Sequence, residues 1–234
     1  YIDTDESLQL MRESIAAGQS DLELRVRYYD TTYTIEFGDR VYGISRKLGI
    51  PFYTIQQANP GVDLDNISPG DQLRIPSRDV TMEPPPVANK RIIVDLEQQY
   101  LVAYEDNQVV YEWPISSGLA SAPTSPGIYQ ILSHAELAYG SSNTLCDDVT
   151  LVCGQWEMRW FMGIYEVVPD LVNGFHGSVL LPNGNLLGGG AVGRPATFGC
   201  VMSPDEQAQA LFEWAEIGTV VEIISSEYAP YSDL

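Results

Sequence analysis

The sequence predicts an α+β multidomain protein, in which a small βααβ module precedes a larger, β-rich and sandwich-like domain with one late helix. Three observations lead to this prediction. Helical periodicity and short strands alternate before residue 78, a run of prolines follows at residues 84–86, and strand patterns dominate from Lys90 onward. With 234 residues, the chain is long enough for one to three domains.

The first segment, residues 1–32, is interpreted as the end of a preceding module. Residues 4–17 predict a short helix that ends at Gly18, because a glycine commonly follows the last helical residue. Apolar and charged residues then alternate over residues 22–28, which predicts a strand with one face in water.

Residues 33–77 predict a compact module with the order strand, helix, helix, strand. Its strands are expected at residues 33–36 and 72–76, and its two helices are separated by Gly49-Ile50-Pro51. Residues 78–89 follow as a proline-rich linker. Because consecutive prolines favour the extended polyproline II conformation, this linker is expected to be a stiff spacer.

The third segment, residues 90–226, reads as a meander of β-hairpins, and residues 227–234 read as a polar tail. A capping box at Ser203, with Pro204 at the first helical position, predicts one late helix. The strands are expected at residues 91–96, 100–104, 109–113, 128–132 and 219–224.

The charge of the chain excludes two classes of function. Twelve Lys and Arg residues against 32 Asp and Glu residues give a net charge of −20. A field of that sign repels phosphate backbones and anionic lipids, so neither nucleic-acid binding nor polybasic membrane docking is expected. No apolar run approaches the roughly 18 residues of a membrane span. Because the chain starts at Tyr1, we expect it to be a mature or trimmed piece of a longer protein.

Residues 133–156 are longer than a simple turn. They are interpreted as an insertion near a cleft, where they would serve as a lid. Cys146 and Cys153 within it suit one local disulfide, which leaves Cys200 as a free thiol. The alternative is three buried, inert thiols. Paired CxxC spacing is absent from the sequence, so no metal site is expected, and His134 is interpreted as structural or superficial.

The most informative stretch runs from Gly174 to Cys200. Eight of the 26 residues from Gly174 to Gly199 are glycine, which indicates backbone close to a ligand or a loop over a cleft. Cys200 follows a glycine and precedes a predicted helix, whose N-terminus would favour a thiolate. His176 and His134 are the only histidines in the chain, and therefore the only imidazole bases. By residue type alone, a buried core cysteine remains the alternative.

The portion from Lys90 to Ile224 resembles the catalytic domain of the YkuD-type L,D-transpeptidases. The resemblance lies in "KRIIVDLEQQYLVAYEDNQVVYEWPISSG", "TSPGIYQI", "MRWFM", "FHGS" and "TFGCVM", which occur in that family's order. It implies a cysteine that attacks the peptide stem of peptidoglycan. By this resemblance Cys200 is the nucleophile and His176 its base, with Ser178 and the backbone amides of Gly199 and Cys200 near the oxyanion site.

Two positions depart from the family pattern. Phe198 stands where the family has a histidine, and Met202 stands where it has an arginine. We hypothesise that Arg194 supplies a replacement cation for the carboxylates of the stem, and the alternative is an arginine that faces solvent. The remaining residues expected to bind substrate are Arg159 and Trp160 of "MRWFM", and Thr197.

Residues 33–76 resemble a LysM module, a small domain that binds peptidoglycan and chitin. The resemblance lies in "YTIEFGDRVYGISRKLGI", "IQQANPG" and "NISPGDQLRIP". It implies a groove for N-acetylglucosamine chains between the loop before the first helix and the loop after the second. Those loops correspond to Gly38, Asp39, Arg40 and Val41 on one side, and to Asn59, Pro60 and Gly61 on the other.

Together, the two resemblances imply an exported bacterial cell-wall enzyme whose partners are peptidoglycan stem peptides and glycan strands. The expected reaction forms 3-3 crosslinks through a cysteine thioester, without a metal or organic cofactor. Two alternatives stay open. With water as acceptor the protein would be an L,D-carboxypeptidase, and with a disabled site it would be a non-catalytic peptidoglycan-binding protein.

Overall fold

A computed structural model describes residues 1–22, 24–146, 153–180, 184 and 186–229, and only the backbone of residues 141–146 and 153–155. The chain forms a small N-terminal α/β region followed by a β-rich domain with one late helix, which confirms the predicted fold class. Among the described residues, no helix is both long enough and apolar enough to cross a membrane.

The first segment is a helix followed by extended chain. Helix α1 (Thr4–Ala16) begins where the Asp3 side chain accepts a hydrogen bond from the Glu6 N–H. The strand predicted over residues 22–28 is not formed in the described part of that range, which offers only one isolated bridge, between Ile2 and Val26. A strand needs a partner along its length, and the short stretch before α1 supplies a single pairing position.

The second segment has the predicted βααβ order. It consists of β1 (Thr31–Thr34), α2 (Val41–Leu48), α3 (Phe52–Ala58) and β2 (Gln72–Ile75), with β1 and β2 antiparallel. The two helices cover this two-stranded sheet, and the module has a small apolar core of its own, separate from that of the β-rich domain. Gly49 ends α2 with a φ of 67°, a left-handed conformation that glycine adopts without steric cost.

The proline-rich segment is docked rather than free. After a 3₁₀ turn at Arg78–Thr81, the Thr81 hydroxyl donates to the Ile128 carbonyl, and Gln130 Nε2 donates to the Pro84 carbonyl at 3.0 Å. Both hydrogen bonds join this segment to residues 128 and 130, which lie in an edge strand of the β-rich domain. The segment expected to be a spacer therefore packs against the β-rich domain.

The β-rich domain contains two sheets and one helix. Its elements are β3 (Lys90–Asp95), β4 (Tyr100–Glu105), β5 (Gln108–Pro114), β6 (Gly127–Gln130), β7 (Ser133–Cys146), β8 (Cys153–Val168), β9 (Leu171–His176), β10 (Val179–Leu180), β11 (Leu186–Leu187), β12 (Val201–Met202), α4 (Asp205–Trp214) and β13 (Val220–Ile224). One sheet has the order β5-β4-β3-β13-β6, in which β13 is parallel to β3. The other has the order β11-β10-β8-β9-β12, with β7 also paired to β8.

One prediction about this domain needs correction, and another stays a prediction. Residues 133–156 contain strand β7 and the start of β8, which pair in antiparallel orientation. That this segment is an insertion near a cleft stays a prediction. Helix α4 begins at Asp205 and has no side-chain cap, so the predicted capping box is not formed. The Ser203 hydroxyl instead accepts a hydrogen bond from Trp113 Nε1 at 3.0 Å, which removes it from the helix end.

Alternation along β9 and β12 separates the main core from a second apolar face. Phe175 and Val201 point into the core between the two sheets. Because successive side chains of a strand point to opposite faces, His176 and Met202 point the other way, as does Cys200. The candidate site is therefore built on the outer face of the second sheet.

The C-terminal segment joins the βααβ module to the β-rich domain. The ring of Tyr228, which is 6% exposed, packs directly against Gly49 at the end of α2. Arg46 of the same helix forms an ion pair with Glu227 at 2.5 Å. The described part of the tail expected at residues 227–234 is therefore an interdomain contact, because its aromatic ring is buried at the junction.

Candidate active site

Cys200 and His176 face one cavity from two neighbouring strands. Strand β12 runs parallel to β9, with Val201 opposite Phe175 and Met202 opposite His176. This register brings Cys200, the residue before β12, beside the end of β9. Both side chains line a cavity of about 520 Å³ on the outer face of the sheet.

The imidazole of His176 is held in one tautomer. Its Nδ1 lies 2.6 Å from the carbonyl oxygen of Gly177. Because a carbonyl can only accept, Nδ1 carries the hydrogen, and Nε2 keeps its lone pair for use as a base. The side chain is 3% exposed, and burial lowers the pKa of His176 to about 4. The ring is therefore neutral at neutral pH.

The thiol of Cys200 is neutral in the resting structure. Burial raises its pKa to about 11, and a hydrogen bond from the backbone of Gly174 offsets part of this effect. Helix α4 begins at Asp205, after strand β12, rather than directly behind Cys200. The expectation that a helix N-terminus lowers the thiol pKa is therefore wrong: desolvation dominates, and the group rests as a thiol.

An asparagine that the sequence analysis did not identify contacts the thiol. Cys200 Sγ lies 3.6 Å from Asn173 Oδ1, which is within the range of a sulfur donor. The Asn173 amide is oriented by Tyr165, whose hydroxyl oxygen accepts from Asn173 Nδ2 at 3.1 Å and from the Ser125 N–H at 2.9 Å. The only signal in the sequence was the position of Asn173 directly before "GFHGS".

The loop before Cys200 is fixed by threonine hydroxyls. Thr197 Oγ1 donates to the Cys200 carbonyl at 2.6 Å and accepts from the Gly199 N–H at 3.3 Å. Thr124 Oγ1 donates to the Gly199 carbonyl at 2.8 Å. Thr197, which we expected to bind substrate, does line the cavity, but its hydroxyl is already engaged with the loop backbone.

Gly199 adopts a conformation that requires glycine. Its φ is 113°, which side chains with a Cβ rarely adopt. A Cβ at this position would lie 2.3 Å from Asn173 Nδ2. Glycine therefore allows the loop to approach the asparagine that contacts the nucleophile.

Ser178 is not among the residues that line the cavity. Its N–H donates to Asp205 Oδ1 at 2.7 Å, which ties the residue to the start of α4. Its hydroxyl packs against Gly188 on the other side. The structure thus does not bring the Ser178 side chain to the cavity that holds Cys200, where the sequence analysis expected it.

The three other candidates for substrate binding also lie elsewhere. Arg159 and Trp160 line a separate cavity of about 440 Å³ beside helix α4, together with Phe212. The side chain of Arg194 is exposed on the loop before Thr197, outside the lining of the Cys200 cavity. The strand face explains the position of Arg159, because its neighbour Met158 points into the Cys200 cavity and Arg159 therefore points away. Trp160 has a φ of 53°, which interrupts the alternation of the strand at that residue.

The two positions that depart from the expected motif are both occupied by apolar side chains. Phe198 lines the cavity and is 37% exposed, and its ring stacks on Trp156 with 6.2 Å between ring centroids. Met202 is fully buried in the apolar cluster behind the cavity. The cavity is therefore bordered by an aromatic pair, and the position of Met202 provides packing alone.

The proposed carbohydrate loops of the βααβ module are partly structural. Val41 is buried in the core of the module. The Asn59 side chain is buried too, donating to the carbonyls of Ile55 and Arg74 and accepting from the Arg74 N–H. Neither side chain faces solvent, which corrects the expectation that all seven positions are accessible to a sugar.

The remaining loop residues differ in their exposure. Asp39 accepts hydrogen bonds from the Glu36 N–H and the Tyr33 hydroxyl, which closes the turn before α2. Other predicted residues are exposed, namely Gly38, Arg40, Pro60 and Gly61. The same turn carries Phe37, an aromatic side chain that is 97% exposed.

Cys146 and Cys153 occupy directly opposite backbone positions in the β7–β8 hairpin. Their side chains lie outside the described residues, so the disulfide stays a prediction. Among the residues that the structure does describe, no group of three His, Cys, Asp or Glu side chains could hold a metal ion.

Comparison with known proteins identifies both parts of the chain. The family model of the L,D-transpeptidase catalytic domain, YkuD, matches residues 89–223, and that of the LysM domain matches residues 33–76. No curated protein matches the chain.

Several solved structures are similar to the chain. An L,D-transpeptidase from Mycobacterium smegmatis is 14% identical over 58% of each chain, with a TM-score of 0.47. A mutant L,D-transpeptidase from Enterococcus faecium is 19% identical over 95% of this chain and 65% of its own, with a TM-score of 0.46. This chain thus spans less than two thirds of either protein. The family model of the catalytic domain matches more than half of this chain. The chain therefore belongs to the L,D-transpeptidase family, and it carries a LysM domain ahead of the catalytic domain.

Proposed function

We propose that the chain is a cysteine L,D-transpeptidase that crosslinks peptidoglycan stem peptides and is held to glycan strands by its LysM domain. The observation that carries this proposal is the pairing of β9 with β12, which turns Cys200 and His176 toward one cavity. The Gly177 carbonyl supports it, because it leaves Nε2 of His176 free to act as a base.

In the proposed acylation step, a neutral thiol meets a neutral imidazole. Nε2 of His176 removes the proton from Cys200 as the sulfur bonds to the carbonyl carbon of the third stem residue. The tetrahedral intermediate then collapses, and the bond from that carbon to the nitrogen of the terminal D-alanine breaks. The imidazolium returns the proton to the departing amine, which leaves a thioester on Cys200.

In the second step, the side-chain amine of another stem attacks the thioester carbon. One proton of that amine passes to Nε2 of His176, the carbon–sulfur bond breaks, and the sulfur takes the proton back. The product is an amide between the third residues of two stems, a 3-3 crosslink. With water in place of the amine, the same thioester would be hydrolysed, which is the L,D-carboxypeptidase alternative.

Backbone amides near Cys200 are the candidates for charge stabilisation. The amides of Gly199 and Cys200 would face the oxyanion, and the 3.3 Å bond from the Gly199 N–H to Thr197 Oγ1 is long enough to be exchanged for a substrate oxygen. The amide of Gly174 supports the sulfur itself, since its hydrogen bond favours the thiolate. One such donor is worth about 3 kcal/mol in a transition state.

A non-catalytic role in wall binding is the second candidate, and one observation favours it. The thiol is directed at Asn173 Oδ1, and burial holds its pKa at about 11. In that case the LysM domain would carry the function, and Cys200 would serve as a core side chain.

Intact-mass spectrometry separates these candidates. The protein and Cys200→Ala are incubated with a carbapenem and, separately, with a tetrapeptide muropeptide. We expect an adduct on the parent protein alone and crosslinked muropeptides among its products, whereas hydrolysed stems alone would indicate the carboxypeptidase. Unmodified protein with both reagents, in a folded and reduced sample, would refute catalysis and leave wall binding.

A further inference from the structure

The cavity at Cys200 is lined mostly by apolar side chains, and besides the polar groups of the candidate site it has one carboxylate. Its walls include Trp156, Met158 and Phe161. Among the described residues that line it, Asp170 is the only acidic one, and neither lysine nor arginine is present. Asp170 lies in the turn between β8 and β9, with an exposed side chain and a φ of 64°. Within the described part of the chain, this carboxylate forms no ion pair.

The cations of the catalytic domain are all located elsewhere. From Lys90 to the C-terminus the sequence contains four basic residues, and each of them is in the described part of the chain. Lys90 pairs with Glu216 at 2.5 Å, and Arg91 lies 3.5 Å from Glu222. The other two are Arg159 in the separate cavity and Arg194 on its exposed loop.

This charge distribution discriminates between donor side chains. A free carboxylate on the side chain of the third stem residue would enter an apolar cavity without a cationic partner and would be repelled by Asp170. An ammonium group would find in Asp170 an unpaired partner of opposite charge. The carboxylate of the terminal D-alanine is common to every tetrapeptide donor, so it does not contribute to the choice between them.

We propose that Asp170 determines specificity by binding the ammonium group of the third stem residue. The preferred acyl donor then carries a side chain that ends in an amine and lacks a free carboxylate. This inference rests on the proposed transpeptidase function, whose substrate class it narrows.

Three tetrapeptides that differ only in the third residue test the proposal. They contain lysine, meso-diaminopimelate with a free side-chain carboxyl, or the same diamino acid with that carboxyl amidated. The rate of D-alanine release and the mass of the Cys200 acyl-enzyme are measured for each peptide with the parent protein and with Asp170→Asn. Glu166→Gln is the matched control, because Glu166 is exposed near the same turn but does not line the cavity.

We expect the lysine and amidated peptides to acylate the parent protein roughly three to five times faster than the free diamino acid, the size of an exposed charge interaction. Asp170→Asn should reduce the difference between the peptides, leaving only the cost of placing a carboxylate in a mostly apolar cavity, and Glu166→Gln should leave the difference unchanged. Equal rates in the parent protein, or a preference of undiminished size in Asp170→Asn, would overturn the assignment to Asp170 while leaving the transpeptidase function intact. Acylation by none of the peptides would overturn that function, and this inference with it.

Discussion

Cys200 Sγ lies 3.6 Å from Asn173 Oδ1, so the proton of the proposed nucleophile has an acceptor other than the imidazole. The asparagine is held in place by a hydrogen bond from its Nδ2 to the Tyr165 hydroxyl oxygen, which also accepts a hydrogen bond from the Ser125 N–H. Asn173 and His176 belong to the same strand, and both line the cavity. In the resting site the neutral thiol of Cys200 therefore lies beside the amide oxygen of Asn173. The neutral imidazole of His176 remains available as a base when substrate enters.

Changing Asn173 to aspartate should make Cys200 less reactive. A carboxylate in contact with the sulfur would raise the pKa of the thiol by about one unit, because like charges disfavour the thiolate. We expect iodoacetamide to alkylate Asn173→Asp about tenfold more slowly than the parent protein at pH 8. Asn107→Asp, the same change in the exposed β4–β5 turn, is the control and should alkylate at the parent rate. Equal rates for parent and Asn173→Asp would contradict the contact.

The pH dependence of alkylation should show which protonation state rests in the site. With a thiol pKa of about 11, the thiolate fraction grows tenfold for each unit of pH below that value. We therefore expect the alkylation rate of folded protein to rise steadily from pH 7 to 10, without a plateau. A thiolate paired with an imidazolium would instead give a rate that is independent of pH in this range, and that result would refute the neutral pair.

The low pKa of His176 has a separate consequence for acylation. At a pKa of about 4, the ring stays neutral down to mildly acidic pH, so its function as a base persists there. The acylation rate of a tetrapeptide should therefore hold its value between pH 8 and pH 5, where an ordinary histidine with a pKa near 6.5 would already be protonated. A loss of the acylation rate with a midpoint near pH 6.5 would show that burial does not lower the pKa of His176.

Gly199→Ala should disable the site through backbone strain. The residue has a φ of 113°, and a Cβ would lie 2.3 Å from Asn173 Nδ2. We expect a loss of about 1–3 kcal/mol in the free energy of unfolding, measured by urea denaturation, together with slower acylation. Gly189→Ala is the control, because a Cβ there meets no atom within 4 Å. Unchanged stability in Gly199→Ala would show that the loop tolerates the side chain.

The sequence was sufficient to predict features that depend on local pattern. Order along the chain predicted the βααβ module and the β-rich domain, and the glycine-rich motifs around His176 and Cys200 indicated two residues that share a cavity. Such motifs are readable because they concentrate unusual residues within a few positions.

Features that depend on strand pairing were not predictable in this way. Asn173 reaches Cys200 only because β9 pairs with β12, and Arg159 misses the cavity because it lies on the opposite face of β8 from Met158. A single-residue shift in register reverses every such assignment. Likewise, burial controls the pKa of the Cys200 thiol. The prediction of a thiolate considered only the nearby helix N-terminus and not the burial of the sulfur.

The LysM domain offers a final test through Phe37. This side chain is 97% exposed in the turn that also contains Gly38, next to the loop expected to contact N-acetylglucosamine chains. A fully exposed aromatic ring makes no packing contribution to the fold, but it offers an apolar face on which a sugar ring can stack. We therefore expect Phe37→Ala to weaken binding to chitin oligosaccharides by about five- to tenfold, measured by calorimetry, with thermal stability unchanged. Tyr29→Ala provides the control, because Tyr29 is also exposed but precedes the module and packs on Tyr1. Equal affinities of Phe37→Ala and the parent protein would exclude this ring from the sugar site and leave the exposed backbone of the two loops as its binding surface.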